Sequence, residues 1–328
     1  MNAQKLVRRL LASVLLGIVI FGAFVVWSGY ETIVAEVGRF SWGALGLALA
    51  MVLANYLLRF LRWEFYLARL GVRGVPKVDS FLTFFSGFVL TVTPGKVGEV
   101  MKSWVLAETH GVEGARTAPI VVAERLTDLL GIVALVIAGS LGFAGGLVWA
   151  AAGGLVVLVA LVVISSRSIP DRVVAWLSRR GGALSKLGPK VATAWENLRE
   201  LVTPAALVVP TVLAVAAWSL EATALWVIVR GFGVHVPLAI CFFAYSTSQL
   251  AGALIPVPGG LGVTEGSLSQ QLIRLGGAPK GPATAAMILV RLATLWFAVL
   301  LGFVALAIVR RRFPRLFSEG GSVADGAA

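Results

Sequence analysis

The sequence predicts an all-α polytopic membrane protein with about six crossing helices and two re-entrant helical hairpins that enter from opposite faces. Of its 328 residues, 58% are apolar and only 13% are charged, whereas an ordinary soluble domain is about 45–50% apolar and about 25% charged. So little polar surface cannot cover a water-facing globule, which excludes a soluble enzyme and a disordered protein. The net charge of +12 would suggest nucleic acid in a soluble protein, so its placement along the chain must be examined first.

Eight stretches approach the length of about 20 mostly apolar residues that a membrane-spanning helix needs. They cover residues 10–28, 42–61, 81–107, 119–141, 147–165, 205–229, 238–255 and 284–309. The first follows Lys5, Arg8 and Arg9, as a secretory signal would. Its apolar run of about 18 residues is too long for a cleaved signal and no small-residue cleavage site follows, so we expect a retained signal anchor.

Two of these stretches are interrupted by polar turns. The third contains Thr91-Val-Thr-Pro-Gly-Lys-Val-Gly-Glu99, and the seventh runs into Pro256-Val-Pro-Gly-Gly-Leu-Gly-Val-Thr-Glu265. Proline and glycine should break a helix here, and Lys96 and Glu99 are hard to leave in lipid. Both stretches are therefore predicted to be hairpins that enter and leave on one face.

The distribution of lysine and arginine favours this topology, because short cytoplasmic loops collect basic residues. If all eight stretches cross from an inside N-terminus, the loops hold 11 basic residues on each side. If the third and seventh return, the count becomes 18 inside against 4 outside, with six left at or within the membrane. The sequence thus predicts a multi-pass protein of the cytoplasmic (inner) membrane with both termini inside, and the +12 needs no nucleic acid.

One integral membrane domain is predicted over residues 1–312. Its halves, about 1–165 and 205–312, are joined by an amphipathic cytoplasmic segment, 166–204. Tryptophan and leucine stand among basic residues in that segment, which is typical of a helix lying on an anionic lipid surface. Residues 313–328 are predicted to form a disordered cytoplasmic tail. The expected partners are membrane lipids.

The two predicted hairpins carry related sequence. Pro94-Gly-Lys-Val-Gly98 and Pro258-Gly-Gly-Leu-Gly262 share Pro-Gly-x-x-Gly and are followed by Glu99 and Glu265. Arg125 and Arg291 each lie 26 residues beyond their glutamate. The match favours an inverted internal repeat, the organisation in which transporters place a site at mid-membrane. The alternative is chance similarity among helices rich in leucine, glycine and valine.

Each Pro-Gly break predicts an exposed helix N-terminus, whose free N–H groups and positive dipole end favour an anion. We expect these ends in residues 97–107 and near Val263, and a lipid phosphate is the natural anion in a bilayer. Tight turns that use glycine for packing are the alternative. The turn residues are Pro94, Gly95, Gly98, Pro258, Gly259, Gly260 and Gly262.

Several charged residues lie inside apolar stretches. Glu124 and Asp128 share a helix face with Arg125 beside them, so the three could pair internally, line a cavity, or simply begin a solvated helix. Arg291 and Glu221 lie deeper, where a charge is functional by default. Arg62 and Trp63 close the second stretch at the cytoplasmic boundary, which favours an anchoring role.

The sequence offers little for metal or redox chemistry. One cysteine and two histidines exclude an internal disulfide and a His/Cys metal cluster. The chain has no phosphate-binding Gly-x-x-x-x-Gly-Lys-Ser/Thr loop and no Gly-x-Ser-x-Gly or His-Glu-x-x-His motif. We therefore expect no cofactor and no enzyme, and a translocase would have to be driven by a gradient, the membrane potential or consumption of its product.

Four motifs together resemble the lysylphosphatidylglycerol synthase transmembrane (flippase-like) family over nearly the whole chain. They are Arg62-Trp63, Pro94-Gly-Lys-Val-Gly-Glu99, Glu124-Arg125-x-x-Asp128 and Pro258-Gly-Gly-Leu-Gly-Val-Thr-Glu265. The resemblance implies a domain that moves aminoacylated phosphatidylglycerol across the cytoplasmic membrane, with relatives beside hopanoid and glycolipid pathways. We expect a stand-alone member, because these residues include no soluble aminoacyl-transferase domain, so synthesis of the lysyl-lipid is not implied.

These observations predict translocation of a lipid with a phosphate-bearing head group. Arg125, Arg291 and the two helix ends would hold the phosphate in turn, while Glu99, Glu265 and Glu221 would receive a cationic part of the head group or a proton. The candidate binding residues are Lys96, Glu99, Glu124, Arg125, Asp128, Glu221, Glu265 and Arg291. Two other classes stay open: a glycosyltransferase that uses a polyprenyl-phosphate sugar, and an accessory subunit of a lipid-synthesis complex.

Overall fold

The computed structural model describes residues 15, 18–27, 29–91, 100–143, 146–165, 187–255 and 257–314. In these parts of the chain every regular element is a helix. The α-helices are α1 (Ile18–Trp27), α2 (Tyr30–Arg39), α3 (Trp42–Arg69), α4 (Lys77–Ser86), α5 (Met101–His110), α6 (Gly114–Ser140), α7 (Gly146–Ser165), α8 (Leu187–Leu201), α9 (Pro204–Gly231), α10 (Leu238–Leu254), α11 (Val263–Arg274), α12 (Lys280–Arg291) and α13 (Phe297–Arg312). Short 3₁₀ turns follow α4 and α10, and a π-helical turn, Leu292–Trp296, joins α12 to α13.

Length and apolar composition make this a membrane protein, as the sequence predicts. Three described helices are long and apolar enough to cross a bilayer, namely α3, α9 and the continuous run of α12 and α13. Helices α1 and α2 meet at an angle of 96° and would add a fourth span if the bent pair is one. Helix α6 has 27 residues, a comparable length, but carries the three charges of the Glu124–Asp128 motif.

The two halves pack on each other reciprocally. The long helix α3 of the first half packs along the long helix α9 of the second. Helix α6 of the first half packs on α10 of the second, and α13 of the second half packs on α4 of the first. Exchanged contacts of this kind are what an internal repeat produces, because each half offers the same surfaces to the other.

Glycine lets the backbones approach closely at both exchanged contacts. A Cβ at Gly139 of α6 would lie 2.6 Å from backbone atoms of Ala239 and Phe243 in α10. In the other contact, a Cβ at Gly302 of α13 would lie 2.5 Å from the backbone nitrogen of Val89. Helices inside a bilayer associate through such close packing, since hydrophobic burial offers little there.

Each predicted hairpin region contains two helices that fold back on one another. In the first half, Asp79 of α4 lies beside His110 of α5, and Gly87 lies against Lys102, so the two helices run antiparallel. In the second half, Thr247 of α10 donates a hydrogen bond to Gln271 of α11 over 2.8 Å. The first turn, with Pro94, Gly95, Lys96, Gly98 and Glu99, lies outside the described residues.

The second Pro-Gly turn requires its glycines. Gly259, Gly260 and Gly262 have φ angles of 63°, 68° and 87°, in the left-handed region that a Cβ disfavours. A Cβ at Gly260 would also lie 2.7 Å from the hydroxyl oxygen of Thr264. The turn therefore reverses the chain within a few residues and places Val263 at the start of α11.

The predicted cytoplasmic linker is described only from Leu187 onward. Helix α8 packs on α6, and its Leu198 and Leu201 are buried. The apolar side of this part of the linker thus faces protein, which differs from the lipid-facing surface that the composition predicts. Residues 166–186 and 315–328 lie outside the described parts of the chain.

Candidate functional site

A cavity of about 330 Å³ lies where the long helices of both halves meet. Its described polar and charged lining residues are Tyr56, Arg59, Thr91, Arg125, Asp128, Trp218, Glu221, Gln249, Thr264, Arg291 and Thr294. Four of the helices contribute residues from near their middles: α3, α6, α9 and the run of α12 and α13. The sequence thus brings its deepest charges together in one space.

Asp128 is the centre of the arginine-rich wall of this cavity. Its carboxylate lies 2.7 Å from Arg62, 3.6 Å from Arg125 and 3.7 Å from Arg59, and it accepts a 3.2 Å hydrogen bond from the indole N–H of Trp218. The Arg62 side chain is only 1% exposed, while that of Arg125 is 31% exposed. Among the described residues, one carboxylate is thus shared by three guanidinium groups, two of which line the cavity.

Glu265 and Arg291 form a closed pair on the opposite half. Arg291 donates a 2.6 Å hydrogen bond to Glu265 and a second, of 2.9 Å, to the carbonyl of Gly259 in the turn. The other oxygen of Glu265 accepts the backbone N–H of Gly262 at 2.6 Å. In the second half, the spacing of 26 residues that led to the repeat hypothesis therefore corresponds to a direct contact.

Glu221 is held on a third wall by hydrogen-bond donors. It accepts hydrogen bonds from the side-chain amide of Asn55 and, over 2.6 Å, from the hydroxyl of Tyr245. Gln249 in turn donates to the Tyr245 hydroxyl over 3.3 Å. This carboxylate is buried and lines the cavity, so it faces the same space as the arginines.

Glu124 has a different environment from Asp128, although both lie on α6. It accepts a 2.6 Å hydrogen bond from Lys102 of α5, and the two side chains are 2% and 3% exposed. The ammonium of Lys102 also lies 4.9 Å from the ring centre of Trp63 and 5.0 Å from that of Phe84. Such a buried pair enclosed by aromatic rings joins the first hairpin region to α6.

The structure corrects three expectations. The sequence predicts that Glu124 and Glu265 meet the other charges in one space, but they do not line the cavity and instead form ion pairs with Lys102 and Arg291. At the helix end near Val263, the backbone N–H of Gly262 donates to the carboxylate of Glu265, so that one N–H does not face a phosphate. Arg62 and Trp63 are buried, so the interpretation as interfacial anchors is wrong.

Of the remaining predicted binding residues, four lie together: the cavity is lined by Arg125, Asp128, Glu221 and Arg291. Lys96 and Glu99 lie outside the described residues.

Sequence reasoning missed several residues of this site. Three of the six basic residues that the topology leaves at or within the membrane were given no binding role: Arg59, Arg62 and Lys102. The charge count contained the signal, because a cation that belongs to neither loop face must be paired or line a cavity. Asn55, Tyr245 and Gln249 had a weaker signal, as uncharged polar residues in apolar stretches.

The family model for the lysylphosphatidylglycerol synthase transmembrane region matches residues 14–302. This match covers most of the chain, including every residue of the cavity. The chain belongs to this family.

A curated relative agrees with the assignment to the family of the lysylphosphatidylglycerol synthase transmembrane region. The chain is similar to the UPF0104 membrane protein of Methanothermobacter thermautotrophicus, with 22% identity over 317 residues. The alignment covers 88% of this chain and 90% of the relative. The similarity therefore extends over both halves and the segment between them. Together with the family match, it fits a membrane protein involved in lipid handling.

Proposed function

We propose that this protein translocates a phosphate-bearing lipid across the cytoplasmic membrane and that the cavity holds the lipid head group midway. The observation that carries the proposal is the convergence of Arg59, Arg125 and Arg291 on one cavity inside a membrane protein. A charged side chain in the middle of a membrane helix is expensive and is kept there for function. Three cations that line one space would recognise an anion.

The chemistry of the cavity wall fits a phosphate. Guanidinium groups bind phosphate oxygens through paired, charge-assisted hydrogen bonds. Asp128 keeps its arginines close together, and Glu265 aligns Arg291 from outside the cavity. The two walls would therefore present their donors without rearranging, which lowers the cost of binding.

The carboxylate of Glu221 gives the cavity a second chemical character. A cationic part of a head group, such as the amine of an aminoacylated phospholipid, would lie between Glu221 and the arginine-rich wall. The proposal therefore extends to an aminoacylated phospholipid as a substrate.

Size and depth are consistent with a head group. A volume of about 330 Å³ is at the lower end of ligand pockets. The cavity lies between two halves that pack reciprocally, and transporters built from inverted repeats bind substrate at such an interface near the bilayer midplane.

The proposed topology has six crossings, two re-entrant hairpins that enter from opposite faces, and both termini in the cytoplasm. Cysteine accessibility tests it. In a Cys241→Ala background, which removes the buried native thiol, Glu113→Cys should react with a membrane-impermeant reagent only from the cytoplasmic side. Pro279→Cys should react only from the outer side. Labelling of Glu113→Cys from outside would contradict the first hairpin.

Translocation itself is tested with purified protein in proteoliposomes. Fluorescent phosphatidylglycerol and its lysyl ester are compared with a phosphate-free glycolipid that has the same acyl chains. Wild type should move the two phosphate-bearing lipids faster than the glycolipid, and Arg125→Gln should slow them about tenfold, since a hydrogen bond to a charged group contributes about 1.5–3 kcal/mol.

Arg69→Gln is the matched control, because Arg69 is an exposed arginine that lies outside the cavity lining. Equal rates for all three lipids, or equal rates for wild type and Arg125→Gln, would contradict the proposal. The role expected for Glu99 and Glu265 is checked by the pair Glu99→Gln and Glu265→Gln in the same assay. Transfer of labelled sugar from a polyprenyl phosphate would identify a glycosyltransferase instead.

A further inference from the structure

The lining residues of the cavity differ in exposure, and the exposed ones lie on one side. Those contributed by α9 and by the run of α12 and α13 are buried, as are Tyr56 and Phe88. Ala253 and Ile255, at the end of α10, are the described lining residues with exposed side chains, and Ile255 is 45% exposed. Leu129 of α6 and Leu250 of α10 are half-exposed and line the same side.

Helices α6 and α10 are close at one end and separated by the cavity at the other. At Gly139 the two backbones are nearly in contact. Ten residues earlier on α6, Leu129 lines the cavity rather than packing into a closed helix interface, and on α10 the same is true of Leu250 and Ala253. The pair therefore has a tightly packed end and an open end, and the open end faces the surface through apolar side chains.

We infer that this open end is a lateral portal, formed by Leu129, Leu250, Ala253 and Ile255, through which the acyl chains of a phospholipid remain in the bilayer while its head group occupies the cavity. The inference rests on the proposed function. The cavity volume of about 330 Å³ is at the lower end of ligand pockets, and charged side chains of both halves line it, which fits a head group better than acyl chains. An amphiphile needs a charged space that is continuous with an apolar surface, and this side of the cavity provides one.

The portal joins the two kinds of chemistry over a short distance. Arg125 lies one helical turn before Leu129 on α6 and is partly exposed, so a phosphate bound there would have its glycerol ester directly at the apolar opening. The ligand that we expect at this surface is a phospholipid of the surrounding membrane. A free phosphate from water has no apolar part that could bind the apolar rim.

Photo-crosslinking tests the portal directly. A photoreactive amino acid is placed at Ile255, which is 45% exposed, and at Leu57 in the middle of α3, which is 43% exposed and lies outside the cavity lining. The full-length protein is reconstituted with fluorescent phosphatidylglycerol or with the phosphate-free glycolipid of equal chain length. At position 255 phosphatidylglycerol should be crosslinked about tenfold more than the glycolipid, as expected for about 1.4 kcal/mol of preference. At position 57 the two lipids should be crosslinked equally.

A second variant separates this inference from the proposed function. Ala253→Trp narrows the portal from an exposed position and should slow translocation about tenfold with an unchanged melting temperature, whereas Leu57→Trp should leave the rate unchanged. Equal crosslinking of both lipids at position 255, with wild type still translocating, would overturn the portal but not the proposed function. A wild-type protein that translocates no phosphate-bearing lipid would overturn both.

Water-soluble glycerol phosphate distinguishes a lipid head group from a free anion. On this inference glycerol phosphate, at a concentration equal to that of the lipid, leaves crosslinking of phosphatidylglycerol at position 255 unchanged, because it lacks the chains that hold a lipid at the portal. Full competition at equal concentration would mean that the ligand reaches the cavity from water, and the portal would then be wrong.

Discussion

The two halves of the protein use buried arginines differently. In the second half, Glu265 and Arg291 form a one-to-one pair whose side chains are 0% and 4% exposed. In the first half, Asp128 lies within ion-pair distance of three arginines, and Arg125 among them is 31% exposed. Among the described residues, a carboxylate and one arginine thus form a closed contact in one half, and a carboxylate with three arginines forms a more accessible wall in the other.

The two arrangements differ in rigidity and in access. The closed pair is hydrogen-bonded to Gly259 and Gly262 of the turn before α11, so the guanidinium of Arg291 is held in a fixed position. The open cluster gathers positive charge where the cavity meets the half-exposed face of α6. A ligand phosphate would thus bind between a rigid wall and an accessible one.

Breaking the closed pair should give the largest effect on stability. Arg291→Met leaves the carboxylate of Glu265 buried without its cation, which costs about 3–5 kcal/mol. The double variant Arg291→Met/Glu265→Gln removes both charges and should recover much of this loss. Unfolding in mixed micelles titrated with SDS measures the free energies. Additive losses in the double variant would show that the two residues do not act as a pair.

Removing the shared carboxylate should have a smaller effect on stability and an opposite effect on binding. Asp128→Asn removes the anionic partner of the buried Arg62, but the other two arginines are partly exposed and can be hydrated. We therefore expect the free energy of unfolding to fall by about 2–3 kcal/mol. The amide oxygen of the variant still accepts hydrogen bonds from these arginines and keeps them together, while a negative charge is removed from the arginine-rich wall. Native mass spectrometry should therefore find more bound phosphatidylglycerol than in wild type. Less bound lipid in a folded variant would contradict an anion site at this wall.

The sequence contained part of this comparison. It singled out Glu265 and Arg291 at a spacing of 26 residues but gave them separate binding roles, whereas they are in contact within one hairpin and the helix that follows it. The depth of Arg291 and Glu221 within apolar stretches indicated that both face the protein interior, because a charged side chain in a membrane helix must be paired or line a cavity.

Long-range partners could not be predicted in the same way. Arg62 and Asp128 are 66 residues apart, and only the packing of α3 on the helices around it decides which faces meet. Arg62 looked like an interfacial anchor for that reason. Glu124 and Asp128 share one face in the sequence pattern, yet α5 takes up Glu124 through Lys102, and no local pattern contains that information.

Closer packing within the second hairpin should affect the rigid wall selectively. A Cβ at Gly252 would collide with the hydroxyl of Thr264, so Gly252→Ala should push α10 from α11 and destabilise the protein by about 1–3 kcal/mol. Gly154→Ala on α7, where a Cβ meets no atom within 4 Å, is the control and should be neutral or stabilising by about 0.5–1 kcal/mol. Adding Thr264→Ala to Gly252→Ala should restore most of the stability. If the double variant recovers no stability, the strain does not come from the contact with the hydroxyl of Thr264.

The smallest expected effect concerns the single indole that helps to hold the open cluster. Trp218→Phe keeps a ring in the packed position but removes the N–H that donates to Asp128 over 3.2 Å, so the loss should be about 0.5–1.5 kcal/mol. Trp42→Phe, at an exposed helix start, is the matched control and should change nothing measurable. If the indole orients Asp128, then Trp218→Phe should also weaken the discrimination between phosphatidylglycerol and the phosphate-free glycolipid in the proteoliposome assay. Weaker discrimination with unchanged stability would mean that the indole contacts the lipid itself, whereas lower stability with unchanged discrimination would confine its role to packing.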